Sequence, residues 1–239
     1  QLSGLTTVFV IVFFVIQLYC DFSGYCDIAI GSARLLGFKL SENFTRPLLA
    51  KNIKTVYQRW HITIHKWFRD YIYFQLKPPK TKFRKCINVL IVFGLAGLWH
   101  GSGLNFLFWG LMNGLLILIL DPVIDKAAKV GNKRLALIPL ILAHISVYLS
   151  LIFFRSQNLD HAKSMFMGLF RWESSILNIN DRVNILQLGL GKFELLFGLL
   201  FIVIVVSWSF SVSEKSSAVF GFKSPVLYSS SQFFGTFGF

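Results

Sequence analysis

Charge is what this sequence most conspicuously lacks. Its 239 residues carry 24 Lys and Arg but only 11 Asp and Glu. From Ile87 to Leu120 there is no Asp, Glu, Lys or Arg at all. A soluble domain does not tolerate such a run on its surface, and apolar residues make up 54% of the chain. Several runs approach the roughly 20 apolar residues needed to cross a bilayer, which implies a polytopic membrane protein of the all-α class. Cysteine is also scarce. Cys20, Cys26 and Cys86 are too few and too scattered for a disulfide framework, and no metal-type spacing links them. A Gly-x-Ser-x-Gly elbow, a phosphate-cradling glycine loop and an internal repeat are all missing. The first residue is Gln1 and no signal-peptide n-region precedes the first apolar run, so the chain reads as a piece of a longer protein.

The net charge of +13 could suggest nucleic acid, but its distribution has a better explanation. More than half of the Lys and Arg lie between Arg34 and Lys85, opposed only by Glu42 and Asp70. Basic residues beside membrane spans mark cytoplasmic loops and favour anionic headgroups. The partner this implies is the lipid bilayer, not nucleic acid.

Taken in order, Leu5 to Tyr19 reads as a first span, which continues or re-enters through Ile28 to Ala33. Asp21 and Asp27, six apart, do not share a helical face and make no acid/base dyad. Tyr57 to Phe74 reads as one interfacial amphipathic helix, with Trp60, Ile64, Trp67 and Tyr71 as its stripe. His61 and His65 are spaced for a metal pair, yet no carboxylate or Cys nearby completes a site, and no metal is assigned. His61 reads better as a polar group lining a cavity. Asp121 to Arg134 reads as a short polar loop and Leu135 to Phe154 as a span with a structural His144. Arg155 to Lys192 follows outside the bilayer, with an amphipathic piece at Ala162 to Phe170. Leu195 to Phe210 is a further span, and Ser211 to Phe239 is weakly patterned.

Within the uncharged run, His100 is the one side chain that titrates near neutral pH. It sits in Gly97-Leu98-Trp99-His100-Gly101-Ser102-Gly103, which predicts two helices or a bent one with His100 at the break. A break at membrane depth is tolerated where it lines a cavity or is buried in protein. Trp99 and Trp109 would flank it, with Asn105 and Asn113 as further polar groups. A histidine here serves equally as a helix-to-helix hydrogen bond or as a functional group, and the run by itself leaves both open.

Four segments together resemble the membrane-bound O-acyltransferase family, in the branch that O-acetylates alginate. They are Tyr19-Cys20-Asp21-Phe22-Ser23-Gly24-Tyr25 continuing to Glu42-Asn43-Phe44; Arg59-Trp60-His61-Ile62-Thr63 with Trp67-Phe68-Arg69-Asp70-Tyr71; Gly97-Leu98-Trp99-His100-Gly101; and Phe153-Phe154-Arg155-Ser156. The match covers about residues 17–170 of a single partial membrane domain, 1–239. The chain departs from the branch pattern at Tyr57, Gln58, His65, Lys66, Cys20 and Cys26, and at Lys77-Pro78-Pro79-Lys80.

The resemblance implies a helical bundle in the cytoplasmic (inner) membrane that transfers an acyl group. It assigns His100 as catalytic general base and His61 as a second catalytic histidine that polarises or positions a substrate. Trp60, Arg69, Asp70, Trp99 and Asn105 are the implied substrate-binding residues. No tightly bound cofactor is implied. The donor would be acetyl-coenzyme A or a thioester on a carrier protein, the acceptor an exported or cell-surface polysaccharide, and an extracytoplasmic acetyltransferase a further partner. Transfer of D-alanine is the alternative within this class, and a transporter or scaffold without covalent chemistry the alternative outside it.

Overall fold

The uncharged run folds as two helices that turn back on one another. In the computed structural model, which describes residues 4–50, 52–128, 133–171, 197–204 and 207, α4 (Lys82–His100) ends at His100 and α5 (Leu104–Ala128) begins four residues later. Thr81 caps α4 by accepting the Arg84 N–H at 3.1 Å. The pair crosses closely because its contact positions are glycines. A Cβ on Gly97 would strike the Phe106 carbonyl oxygen, and one on Gly110 would strike that of Phe93. Small residues at such a crossing let two backbones approach, and packing then holds them where lipid supplies no hydrophobic drive.

Before this pair, α1 (Gly4–Leu35) is one continuous helix, so the span continues through Ile28 to Ala33 and does not re-enter. It ends where Gly37 takes a positive φ of 82°, which lets Phe38 N–H reach the Ala33 carbonyl at 2.8 Å. After α5, α6 (Lys133–Arg155) returns along it and α7 (Leu159–Gly168) packs across the end, with Asn158 as its N-cap. The Gly4 N–H donates to the Arg171 carbonyl at 2.8 Å, tying the start of α1 to the chain beyond α7. Helices α1, α4 and α5 are long and apolar enough to cross a bilayer, and α6 carries a shorter apolar stretch, Ile141–Arg155. The described residues are helical with no strand, as the composition predicts.

Two expectations are corrected. The stretch Tyr57 to Phe74 is not one amphipathic helix. It divides into α2 (Ile53–Arg59) and α3 (Ile62–Tyr71), because His61 between them has left-handed backbone, φ 46° and ψ 52°. In α3 the buried face is Phe68, flanked by Ile64 and Ile72, whereas Trp67 and Tyr71 stack on each other and are exposed.

The polar loop expected from Asp121 is, as far as Ala128, the last part of α5. Asp121 is buried there because its carboxylate accepts the Lys54 N–H at the start of α2, 3.0 Å from Oδ2. A buried carboxylate is tolerated where backbone donors meet it. His144 on α6 has the expected structural role: Nε2 meets the Ala50 carbonyl at 2.9 Å and Nδ1 meets the Tyr148 hydroxyl at 3.2 Å. Of the span expected at Leu195 to Phe210, the described part 197–204 is helical. The weakly patterned stretch Ser211 to Phe239 lies outside the described residues.

Candidate active site

Short backbone bonds bring the first histidine into place. The strand-like segment after α1 lies along the α2–α3 junction: Thr45 N–H donates to the Arg59 carbonyl and Ile62 N–H to the Asn43 carbonyl, both at 3.0 Å. Between these bonds sits His61, whose left-handed conformation costs about 1–3 kcal/mol for a non-glycine residue and persists only where the surroundings impose it. The Asn43 side chain completes the turn. Its Oδ1 lies 3.0 Å from Thr63 N, 2.9 Å from Thr63 Oγ1 and 3.2 Å from His61 Nδ1.

The second histidine comes from the helix break. Gly101 ends α4 with a φ of 169°, and His100 is left on the last turn. Its ring meets three aromatic neighbours at centroid distances of 4.8 Å (Trp99), 5.2 Å (Trp109) and 5.0 Å (Phe154). These rings come from α4, α5 and α6, so the site exists only when the three helices are packed. His100 as a residue nonetheless remains exposed. Buried in the same wall, the Trp109 Nε1–H has no hydrogen-bond partner among the described residues.

Trp99 joins the two centres. It stands edge-on to His61 at 6.0 Å and to its neighbour His100 at 4.8 Å. Phe22 of α1 closes on His61 from the other direction at 4.5 Å, and Phe44 packs on both Phe22 and Trp60. The result is a wall of rings carrying two imidazoles.

The electrostatics follow from that setting. Burial pushes His61 down to about 4, and the nearby His100 adds to the shift. His65, against the Tyr57 ring at 5.2 Å, is pushed down to about 3 by burial, with smaller contributions from His61 and His100. Both rings are therefore neutral at pH 7, the form that can accept a proton or a hydrogen bond. Among the described residues no three His, Cys, Asp or Glu side chains gather as a metal-holding group.

Of the residues singled out in the sequence, Trp60, His61, Trp99 and His100 come together. Arg69 and Asp70 lie about two turns further along α3, where they pair with each other through Nε–Oδ1 at 2.6 Å and Nη2–Oδ2 at 3.0 Å. That pairing holds the Asp70 carboxyl below the usual carboxylate range. Asn105 is buried at the start of α5, and its Nδ2 donates to the Phe153 and Ser156 carbonyls at 3.3 and 2.8 Å. It fastens α5 to the end of α6, next to Phe154. Four residues of the site were not singled out: Phe22, Asn43, Phe44 and Phe154. Each lies within a segment that carries the family resemblance, which is the signal that could have found them.

Comparison with known proteins identifies the family. The model of the membrane-bound O-acyltransferase family matches residues 3–154. The chain is 36% identical over 168 residues to the probable alginate O-acetylase AlgI of Azotobacter vinelandii, covering 68% of this chain and 33% of that protein. It is 34% identical over 157 residues to the peptidoglycan O-acetyltransferase of Helicobacter pylori, covering 64% and 29%. It is 36% identical over 108 residues to the teichoic acid D-alanyltransferase of Bacillus subtilis, covering 42% and 27%. The chain thus spans about a third of the length of the curated relatives it matches.

Proposed function

The chain belongs to the membrane-bound O-acyltransferase family, and from that premise we propose that the protein is a membrane O-acyltransferase, moving an acetyl group from a cytoplasmic thioester to a hydroxyl of an exported or cell-surface polysaccharide. The observation that carries this reading is the position of His100. It ends an apolar helix at a break, is walled by Trp99, Trp109 and Phe154, and lies one ring away from His61.

His100 acts as general base. It takes the proton of the incoming hydroxyl as that oxygen attacks the acyl carbonyl carbon. A carbon–oxygen bond forms, the carbon–sulfur bond of the thioester breaks, and the thiolate leaves and is reprotonated. Base assistance of this kind contributes on the order of 10²–10⁴-fold. The aromatic wall positions the reacting groups and keeps competing water away from them. His61 and Trp60 hold substrate beside the base, with Trp99 as their shared wall.

The donor reaches the site from the cytoplasmic face of the inner membrane, where the basic segment Arg34 to Lys85 attracts a phosphorylated cofactor such as acetyl-coenzyme A, or an acidic carrier protein. Arg69 and Asp70 shape that entrance. The acyl group passes to the polymer directly or through an acetyltransferase outside the cytoplasm. The relationship to a teichoic acid D-alanyltransferase supports a second reading, in which the group carried is D-alanyl.

The test compares cells with and without the full-length protein, identifying by mass the acyl groups that mild base releases from envelope polymers. Loss of acetate supports the first reading and loss of alanine the second. Unchanged acylation of every polymer would overturn both.

A further inference from the structure

His61 is held by more than ring packing. It is one of two non-glycine residues with positive φ among those described, the other being Arg46. The residue that imposes this geometry is Asn43, eighteen positions earlier. Its backbone carbonyl accepts the Ile62 N–H at 3.0 Å, and its side-chain oxygen accepts the Thr63 N–H at 3.0 Å and the Thr63 hydroxyl at 2.9 Å.

The Thr63 contact settles which end of the amide faces His61. A backbone N–H only donates, so the atom it meets is the amide oxygen. The amide nitrogen points the other way, 3.5 Å from the Cys26 sulfur. That oxygen lies 3.2 Å from His61 Nδ1, and an amide oxygen cannot donate. The hydrogen is therefore on Nδ1. A neutral imidazole has one N–H, so Nε2 keeps its lone pair.

We infer that Asn43 is a positioning residue for the acyl-transfer site: it fixes His61 as the Nδ1–H tautomer and so presents Nε2 as a hydrogen-bond acceptor. Free imidazole side chains in water favour the opposite tautomer, so a partner is needed to hold this one. Histidines in functional sites are commonly oriented by what their other nitrogen binds. The titratable groups near the ring are His100 and His65, and neither offers a carboxylate that would favour the charged form.

The assignment narrows what His61 can do. With Nε2 unprotonated it cannot donate to the thioester carbonyl, so it does not polarise the donor. It accepts from a substrate group that carries hydrogen, an acceptor hydroxyl or an amide N–H, and aligns that group beside His100. The tautomer follows from geometry alone; the role in acyl transfer rests on the function proposed above.

The test uses the full-length protein in nanodiscs, labelled with 15N-histidine, with the His61 signals identified by their loss in His61→Gln. At pH 7.5 the wild type should show a protonated Nδ1 and a pyridine-type Nε2. Asn43→Ala should move the hydrogen to Nε2 and lower acyl transfer at least tenfold. Asn43→Asp should restore the Nδ1–H form, recover part of the activity and shift the ring's titration to higher pH. Thr63→Val, which keeps the backbone N–H, should retain the wild-type tautomer. An Nε2–H form in the wild type, or a tautomer unmoved in Asn43→Ala, would overturn the lock and leave the acyltransferase reading standing. A tautomer that follows Asn43 while acyl transfer ignores both Asn43 and His61 would overturn the role in the site. Should Asn43→Ala fail to fold, the wild-type spectrum and Asn43→Asp still decide.

Discussion

Gly97 and Gly110 face each other where α4 crosses α5, with a Cβ built on Gly110 falling 3.1 Å from the Gly97 Cα. Each would also drive such an atom into a carbonyl oxygen of the opposite helix, and backbone cannot swing aside as a flexible side chain can. Gly97→Ala or Gly110→Ala should therefore force the helices apart and destabilise the fold by about 1–3 kcal/mol, the usual range for overpacking. Thermal unfolding of the detergent-solubilised protein checks this. Gly24→Ala, whose Cβ would meet nothing within 4 Å, is the control expected to leave the transition in place.

The two histidines of the α2–α3 region should differ in importance. His61 touches Phe22 and Trp99 in the wall of the site, whereas His65 packs against Tyr57. His61→Ala should lower acyl transfer by at least tenfold, with His65→Ala closer to wild type once protein level is equalised. Equal or reversed effects in a polymer acylation assay would contradict the assignment.

Acid should weaken the fold through these same residues. In the folded protein His61 and His65 are pushed down to about 4 and about 3, against an ordinary value near 6.5. The unfolded chain therefore binds more protons than the folded one below about pH 6.5. Their contribution is fully present above that pH and declines as pH falls toward 4. The melting temperature should drop over this interval, and less steeply in His61→Gln and His65→Gln. A wild-type melting temperature that stays level down to pH 4 would argue against half-buried, neutral rings.

Phe154 offers a way to disturb the base without removing it. Its ring lies 5.0 Å from both His100 and Trp109 and 5.5 Å from Phe106. Phe154→Leu keeps much of the volume but loses the edge-to-face contacts that orient the imidazole. Acyl transfer should fall, up to about 10²-fold if the ring is displaced, while the melting temperature changes little. The ratio of kcat to KM and the melting curve of the same preparation separate the two effects.

Much of this was legible in the sequence, and the exceptions have physical reasons. The break after His100 could be read because an uncharged run too long for one span is interrupted by Gly101-Ser102-Gly103. The division between α2 and α3 could not, because apolar spacing continues through Trp60 and His61, and a single left-handed residue leaves no mark on it. The residue hydrogen-bonded across that turn is Asn43, reached only through tertiary contact. Asp121 read as a loop residue because a carboxylate within an apolar helix is costly. Its partner is a backbone N–H 67 residues away. Likewise, the roles proposed for His100 and His61 rest on the resemblance, but their approach through Trp99 depends on how α3 and α4 pack. The pairing of Arg69 with Asp70 is a side-chain geometry that spacing does not encode.

The most direct measurement is acyl transfer by the purified full-length protein carrying His100→Ala, using a labelled acyl thioester and a polysaccharide acceptor. With the thermal transition near that of the wild type, transfer should fall on the order of 10²–10⁴-fold, the share a general base supplies. Transfer at the wild-type rate by this variant would contradict the assignment of His100 as the base.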